Sequence, residues 1–154
     1  MVSYMKNKSN KLYNLIFPVW LLRVFPLMWL IIIPGNFIID SLVLIISMYI
    51  LKIDSKKQFY KKHIFKVYLF GMLSDLIGVA YMFLLMFVFQ TVNRGDELIL
   101  TIPGVLVSAS SIFIFNYFIS FRKIDKKERI KLSLIYAIIT APYTFMIPLD
   151  WIYM

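Results

Sequence analysis

Five long apolar runs, separated by short polar segments, constrain the fold of this chain more than any motif does. They cover residues 13–33, 37–51, 67–89, 102–121 and 132–149. About 20 apolar residues suffice for a helix to cross the hydrocarbon core of a bilayer, and most of these runs reach that length. The hydrophobic share of 61% is also well above that of a soluble domain. We therefore predict an all-α, multi-pass membrane bundle of about five transmembrane helices, forming one integral-membrane domain over residues 1–154.

The boundary between the first two runs carries a turn signal, Pro34-Gly35-Asn36. It predicts that residues 13–33 and 37–51 form a helical hairpin. The second run is short, about 22 Å as a helix. An alternative bundle therefore has four crossings, with this first hairpin re-entrant.

The basic residues predict the orientation, because short cytoplasmic loops retain Lys and Arg during insertion. All but two of the 17 basic residues fall before the first run, between the second and third runs, or between the fourth and fifth runs. The exceptions are Arg23 and Arg94. Five crossings then place the N-terminus in the cytoplasm and the C-terminus outside, in a plasma membrane such as a bacterial inner membrane. The same bias explains the net charge of +9, so we predict contact with lipids, including anionic headgroups at the basic loops, and no nucleic-acid partner.

Three ionisable residues interrupt the apolar runs at similar depth: Arg23, Asp40 and Asp75. Counted from the cytoplasmic ends of their runs, they lie about 15, 16 and 12 Å into the membrane. Each isolated central charge costs about 2.5 to 3.5 kcal/mol on insertion scales, so we expect Arg23 to pair with an aspartate. One carboxylate is then left for a proton, a cation or water to neutralise.

Other polar residues fall at the same level and are expected to support these charges. They are Asn36, Ser74, Ser108, Ser111, Tyr143 and Thr144. Small residues also recur at helical spacing, as in Ser74 to Gly78 and in Gly104 to Ser108. Such steps let a second helix approach closely, and they predict the faces through which the chain forms a homo-oligomer or binds a larger membrane protein.

The sequence contains few features that would indicate an enzyme. The chain has no cysteine, no zinc-binding His-Glu-x-x-His and no phosphate-binding loop, so no metal or cofactor is predicted. Its only histidine, His63, falls in a basic segment and is expected to be a solvated loop residue. A pair of intramembrane aspartates resembles that of the aspartyl intramembrane proteases. Those enzymes carry Gly-x-Gly-Asp, however, where this chain has Gly71-Met-Leu-Ser-Asp75.

Two functions remain in view. The first is an accessory or interaction subunit in which Arg23, Asp40 and Asp75 form a structural ion-pair network. The second is a proton- or cation-coupled transport component that uses the same three residues as its site.

Overall fold

The computed structural model describes residues 26–89 and 97–146, which are helical between short connections and include no β-strand. The all-α prediction is confirmed for this part of the chain. The helices are α1 (Pro26–Ile50), α2 (Lys56–Phe89), α3 (Glu97–Phe115) with a π-helical turn (Asn116–Ser120), α4 (Lys126–Ile139) and a 3₁₀ helix (Tyr143–Met146).

Three of these helices contain segments long and apolar enough to cross a bilayer: Trp29–Ile50, Lys56–Leu85 and Thr101–Ser120. The predicted count of five crossings is not confirmed. Helix α4 has 14 residues, about 21 Å, and is too short to span the hydrocarbon core by itself.

The predicted turn at Pro34-Gly35-Asn36 is wrong, because α1 runs through it without interruption. The hairpin and its re-entrant variant are therefore also wrong. Pro34 removes a single backbone donor, and an apolar environment favours keeping every other backbone group inside one helix. Gly35 does not adopt a positive φ, which would have marked a turn. The part of the predicted first helix that precedes Pro26 lies outside the described residues.

Helix α2 begins at Lys56, about three turns before the apolar run that predicted its start at Val67. The segment predicted as a basic loop is thus largely helical. Its backbone starts at a tight turn in which Gln58 and Phe59 both donate to the carbonyl of Ser55. Lysine is a good helix former, so a change from apolar to basic composition does not end a helix.

Helix α4 is displaced toward the N-terminus from its predicted range of 132–149. It starts at Lys126, where Asp125 caps the first turn by accepting a hydrogen bond from the backbone of Lys127 at 3.1 Å. It ends at Ile139, three residues before Pro142, which cannot donate a backbone hydrogen bond. Capping and proline chemistry, rather than the apolar run, set both ends.

Successive helices are antiparallel, so the turns at 51–55 and 121–125 lie at the same end of the bundle. The rings of Phe59 and Phe121, which flank these turns, have centroids 6.5 Å apart. We call this the basic end. Its basic residues include Lys52, Lys56, Lys57, Lys61, Lys62, Arg122, Lys123, Lys126 and Lys127. The two basic segments that the charge pattern assigned to one side of the membrane therefore do share one end.

The small residues of α2 and α3 pack against each other inside the chain. A Cβ atom added to Gly78 would lie 3.0 Å from Cβ of Ser108 and 3.1 Å from the carbonyl oxygen of Gly104. A Cβ added to Gly104 would overlap the side chain of Met82. These faces, predicted as an interface with another chain, are therefore occupied by an internal contact.

Polar side chains face inward, whereas many large apolar side chains face outward. Asp40, Asp75, Ser108 and Asn116 are buried, while Leu30 and Phe87 are 74% and 81% exposed. This arrangement reverses the usual pattern of a water-soluble domain and suits a bundle surrounded by lipid.

Candidate functional site: an acidic cavity where α4 ends

A cavity of about 190 Å³ lies between α1, α2 and the segment that follows α4. Asp40 and Asp75 both line it and are only 5% and 6% exposed. The other lining residues are Asn36, Ile39, Gly71, Ile139, Thr140, Ala141, Pro142, Tyr143 and Thr144. The structure thus brings together the two acidic residues that the depth argument placed at one level.

Helical spacing explains why both carboxyl groups reach the same cavity. Asn36 and Asp40 lie four residues apart on α1, and Gly71 and Asp75 lie four residues apart on α2, so each pair shares a helix face. Gly71 leaves room for the opposite acid: a Cβ added there would lie 3.4 Å from Oδ2 of Asp40. A small residue on α2 therefore accommodates the carboxyl group of α1.

Asp75 connects three helices through hydrogen bonds. Ser108 of α3 donates to its Oδ1 at 3.1 Å, and Asn36 of α1 donates to its Oδ2 at 3.5 Å. Both of these donors were predicted to support the polar layer. The carboxyl group is thereby held at the junction of α1, α2 and α3.

Asp40 is positioned through its backbone as well as its side chain. The hydroxyl of Tyr136, a fully buried residue of α4, donates to the carbonyl oxygen of Asp40 at 2.7 Å. This bond joins α4 to α1 on the side of the cavity that faces the basic end. Sequence reasoning missed Tyr136, although its position one helical turn before Thr140 places it on the same face of α4.

The end of α4 contributes directly to the cavity. The backbone N–H and the hydroxyl of Thr140 both donate to the carbonyl of Tyr136, at 2.9 Å each, and the chain then leaves the helix. Residues 139–144 line the cavity. The C-terminal end of a helix carries a partial negative charge, which adds to the charge of two carboxyl groups. The site therefore attracts protons or cations and repels anions.

The polar groups that line the cavity carry hard oxygen atoms, which could act as ligands. They comprise two carboxyl groups, the amide of Asn36 and the hydroxyl groups of Thr140 and Thr144. Such oxygens suit protons and hard cations better than soft transition metals. Among the described residues, no group of three or more His, Cys, Asp or Glu side chains could hold a metal ion.

The remaining predicted residues are placed differently. Ser74 and Ser111 donate to carbonyls of their own helices, those of Phe70 and Val107, so neither hydroxyl is directed at the acids. Tyr143 and Thr144 line the cavity, with Tyr143 half exposed and its hydroxyl bound to the carbonyl of Ile138. Arg23 lies outside the described residues, and its pairing with an aspartate stays a prediction.

His63 is not a solvated loop residue, as its basic neighbours suggested. It is 3% exposed on α2, and its Nδ1 lies 2.7 Å from the carbonyl oxygen of Ser120. Its ring packs between those of Phe59 and Phe121, at centroid distances of 4.4 and 5.5 Å. The early start of α2 causes this burial, because it gives His63 a helix face that meets the end of α3.

Comparisons with known proteins add no family to this description: no protein-family model, no curated protein and no solved structure matches the chain.

Proposed function

We propose that this chain is an integral membrane protein that binds a proton or a small hard cation in the Asp40–Asp75 cavity, as a component of proton- or cation-coupled transport. The observation that carries this proposal is that α4 ends beside the two buried carboxyl groups. Buried acids, a cavity and an interrupted helix thus coincide at one point.

The interrupted helix supports a binding role. Membrane helices that stop within the bundle release backbone carbonyls, which can coordinate a cation, and their C-terminal ends stabilise positive charge. Irregular backbone at membrane depth is tolerated where it lines a cavity, as residues 139–144 do.

The charge balance also supports it. Two ionised carboxylates carry two negative charges, and Arg23, predicted at the same depth, would neutralise one of them. A proton or a monovalent cation would neutralise the other, and its exchange would change the charge of the cavity. A site of this kind can couple ion movement to helix movement.

The rival function is the accessory subunit with a structural polar network. The hydrogen bonds from Asn36 and Ser108 to Asp75 favour it, since they join three helices. The faces of Gly78 and Gly104 were predicted to bind another chain. They pack against each other within this chain, so they do not support this function. A homo-oligomer or a larger membrane partner would therefore have to use other surfaces.

The two functions can be separated with purified protein in liposomes. Carbodiimides dissolved in the membrane modify protonated carboxyl groups, and Na⁺ serves as the probe cation that protects them. We expect labelling at Asp40 or Asp75 and a proton flux under an imposed pH gradient. The flux should be lost in Asp40→Asn and Asp75→Asn variants that remain folded, and the labelling should be lost in the variant that removes the labelled residue. Asp54→Asn is the matched control, since Asp54 lies exposed in the α1–α2 turn.

Folded variants with unchanged labelling and flux would contradict the proposal. Wild-type protein without labelling or flux, together with unfolding of both aspartate variants, would establish the structural role instead.

Localisation in a plasma membrane, with the basic end toward the cytoplasm, belongs to the same proposal. The basic end supports it, because Lys and Arg near a membrane favour anionic headgroups by about 1 kcal/mol each.

A further inference from the structure

A second group of polar side chains lies buried between the acidic cavity and the basic end. Ser47, Asn116, Ser120 and Ser133 are at most 2% exposed. Within the described part of the chain, the hydroxyls of the three serines and both amide atoms of Asn116 have no hydrogen-bond partner. Buried polar atoms are almost always paired in folded proteins, so each of these four residues needs a hydrogen-bond partner that the described side chains do not supply.

The four residues come from three different elements and lie at similar depth. Ser47 follows Asp40 by seven residues on α1, and Ser133 precedes Thr140 by seven residues on α4, so both lie about 10 Å from the cavity toward the basic end. Asn116 and Ser120 belong to the π-helical turn that extends α3.

Contacts between α2 and α3 fix the depth of Asn116. The rings of Phe70 and Phe115 have centroids 5.4 Å apart, and Ser120 contacts His63 through its carbonyl. Asn116 therefore lies between these two contacts, with His63 on the side of the basic end and the cavity on the other side. π-Helical turns are rare and concentrate at functional positions, which is consistent with a role for this one.

Further polar groups lie at both ends of this set of four residues. Toward the cavity, Tyr136 follows Ser133 by three residues in α4, and its hydroxyl donates to the backbone carbonyl of Asp40. Toward the basic end, His63 contacts the π-helical turn at Ser120. Because a carbonyl oxygen only accepts, Nδ1 of His63 carries the hydrogen, and Nε2 has the lone pair that can accept a proton.

We propose that Ser47, Asn116, Ser120 and Ser133 hold a chain of ordered water molecules that carries protons between His63 and the Asp40–Asp75 cavity. This rests on the proposed function and specifies its ion as the proton. Ordered water makes two to four hydrogen bonds and would satisfy the donors and acceptors that these side chains present.

The proton balance is simple. Nε2 of His63, with the Nδ1–H bond intact, accepts a hydrogen bond from the first water of the chain and so orients it. That water takes up a proton from water at the basic end as it releases another to the next water. At each later step one O–H bond forms as another breaks, and the final acceptor is a carboxylate of Asp40 or Asp75. Asn116 orients water and is not itself protonated, so it is a positioning residue.

The cations nearest His63 are Lys62 and Lys66 of its own helix, and its ring neighbours from the packed elements are Phe59 and Phe121.

Asn116→Leu is the informative variant. It keeps a similar volume and removes an amide whose atoms lack protein partners, so the fold should tolerate it. We expect proton flux into liposomes to fall at least tenfold, while carbodiimide labelling of the aspartates stays within twofold of wild type. Asn116→Ser, which replaces the amide with a smaller hydroxyl group, should retain part of the flux.

Ser74→Ala is the matched control for Ser133→Ala. Both serines are fully buried, but the hydroxyl of Ser74 already donates to the carbonyl of Phe70. We expect Ser133→Ala to slow the proton flux and Ser74→Ala to leave it unchanged.

The possible failures are distinct. Wild-type flux in Asn116→Leu overturns the water chain and leaves the acidic site standing. Labelling and Na⁺ protection of the aspartates without any wild-type proton flux also overturns the water chain alone. Absence of both labelling and flux in the wild type overturns the acidic site and the water chain together.

Discussion

The hydroxyl of Tyr136 on α4 donates a 2.7 Å hydrogen bond to the backbone carbonyl of Asp40 on α1, across 96 positions of the chain. This bond sets the height of α4 relative to the first buried acid. Because α4 ends three residues later, at Ile139, its C-terminal end lies beside the cavity.

Removing this hydroxyl tests its contribution. Tyr136→Phe should lower the free energy of unfolding by about 0.5 to 1.5 kcal/mol, because a buried hydrogen bond is lost while the ring is retained. Thermal unfolding in detergent measures the effect. The control is Tyr143→Phe, because Tyr143 is half exposed and its hydroxyl bonds only to the nearby carbonyl of Ile138, so its loss should cost less. Equal effects from both variants would contradict the anchoring role of Tyr136.

The close approach of α2 and α3 makes Gly78 intolerant of a side chain. In Gly78→Ala the new methyl group would meet the backbone oxygen of Gly104 at 3.1 Å, and backbone cannot rotate away. We expect a loss of about 1 to 3 kcal/mol of stability. Gly35→Ala is the control, since a Cβ there has nothing within 4 Å, and alanine should be neutral or stabilising in that helix. A neutral Gly78→Ala would show that the two helices lie farther apart.

The hydroxyl of Ser108 should affect the acidic site, whereas that of Ser111 on the same helix should not. Ser108→Ala removes the 3.1 Å donor to Asp75, a bond worth about 1.5 to 3 kcal/mol if the carboxyl group is charged. We expect lower stability and altered carbodiimide labelling of Asp75. Ser111→Ala removes a bond to its own helix only and should leave the labelling unchanged. Identical labelling in the two variants would show that Ser108 does not contribute to the site.

The shared basic end predicts a labelling pattern that the absence of native cysteine makes easy to read. Single cysteines at Lys57 and Lys123, both exposed, should react with an impermeant reagent from the same side of the membrane. A cysteine at Asn93, between α2 and α3 in the sequence, should react from the opposite side. Reaction of Lys57→Cys and Lys123→Cys from different sides would contradict the antiparallel arrangement.

Local composition and helical spacing were sufficient for the all-α class of the described residues and for the meeting of Asp40 and Asp75 in one cavity. Apolar runs predicted membrane-length helices because length and hydropathy are properties of each segment alone. Asp40 and Asp75 could be placed at one level because the rise per residue of a helix is constant. Their common face with Asn36 and Gly71 followed from helical spacing.

Helix ends and burial depended on interactions that composition does not report. Pro34 stays inside α1 because continuing the helix leaves fewer backbone groups unpaired than turning would. His63 is buried because α2 starts early enough to meet the π-helical turn.

The sequence by itself thus predicted helices of membrane-spanning length, two acids that meet in one cavity and two basic segments at one end of the bundle. Only the tertiary structure decided that α4 ends at Ile139 beside those acids, that Tyr136 holds Asp40 and that Asn116 is buried below them. The physical reason is range: hydropathy and helical rise act within a segment, whereas the cavity and the buried hydrogen bond from Tyr136 to Asp40 require partners from distant parts of the chain.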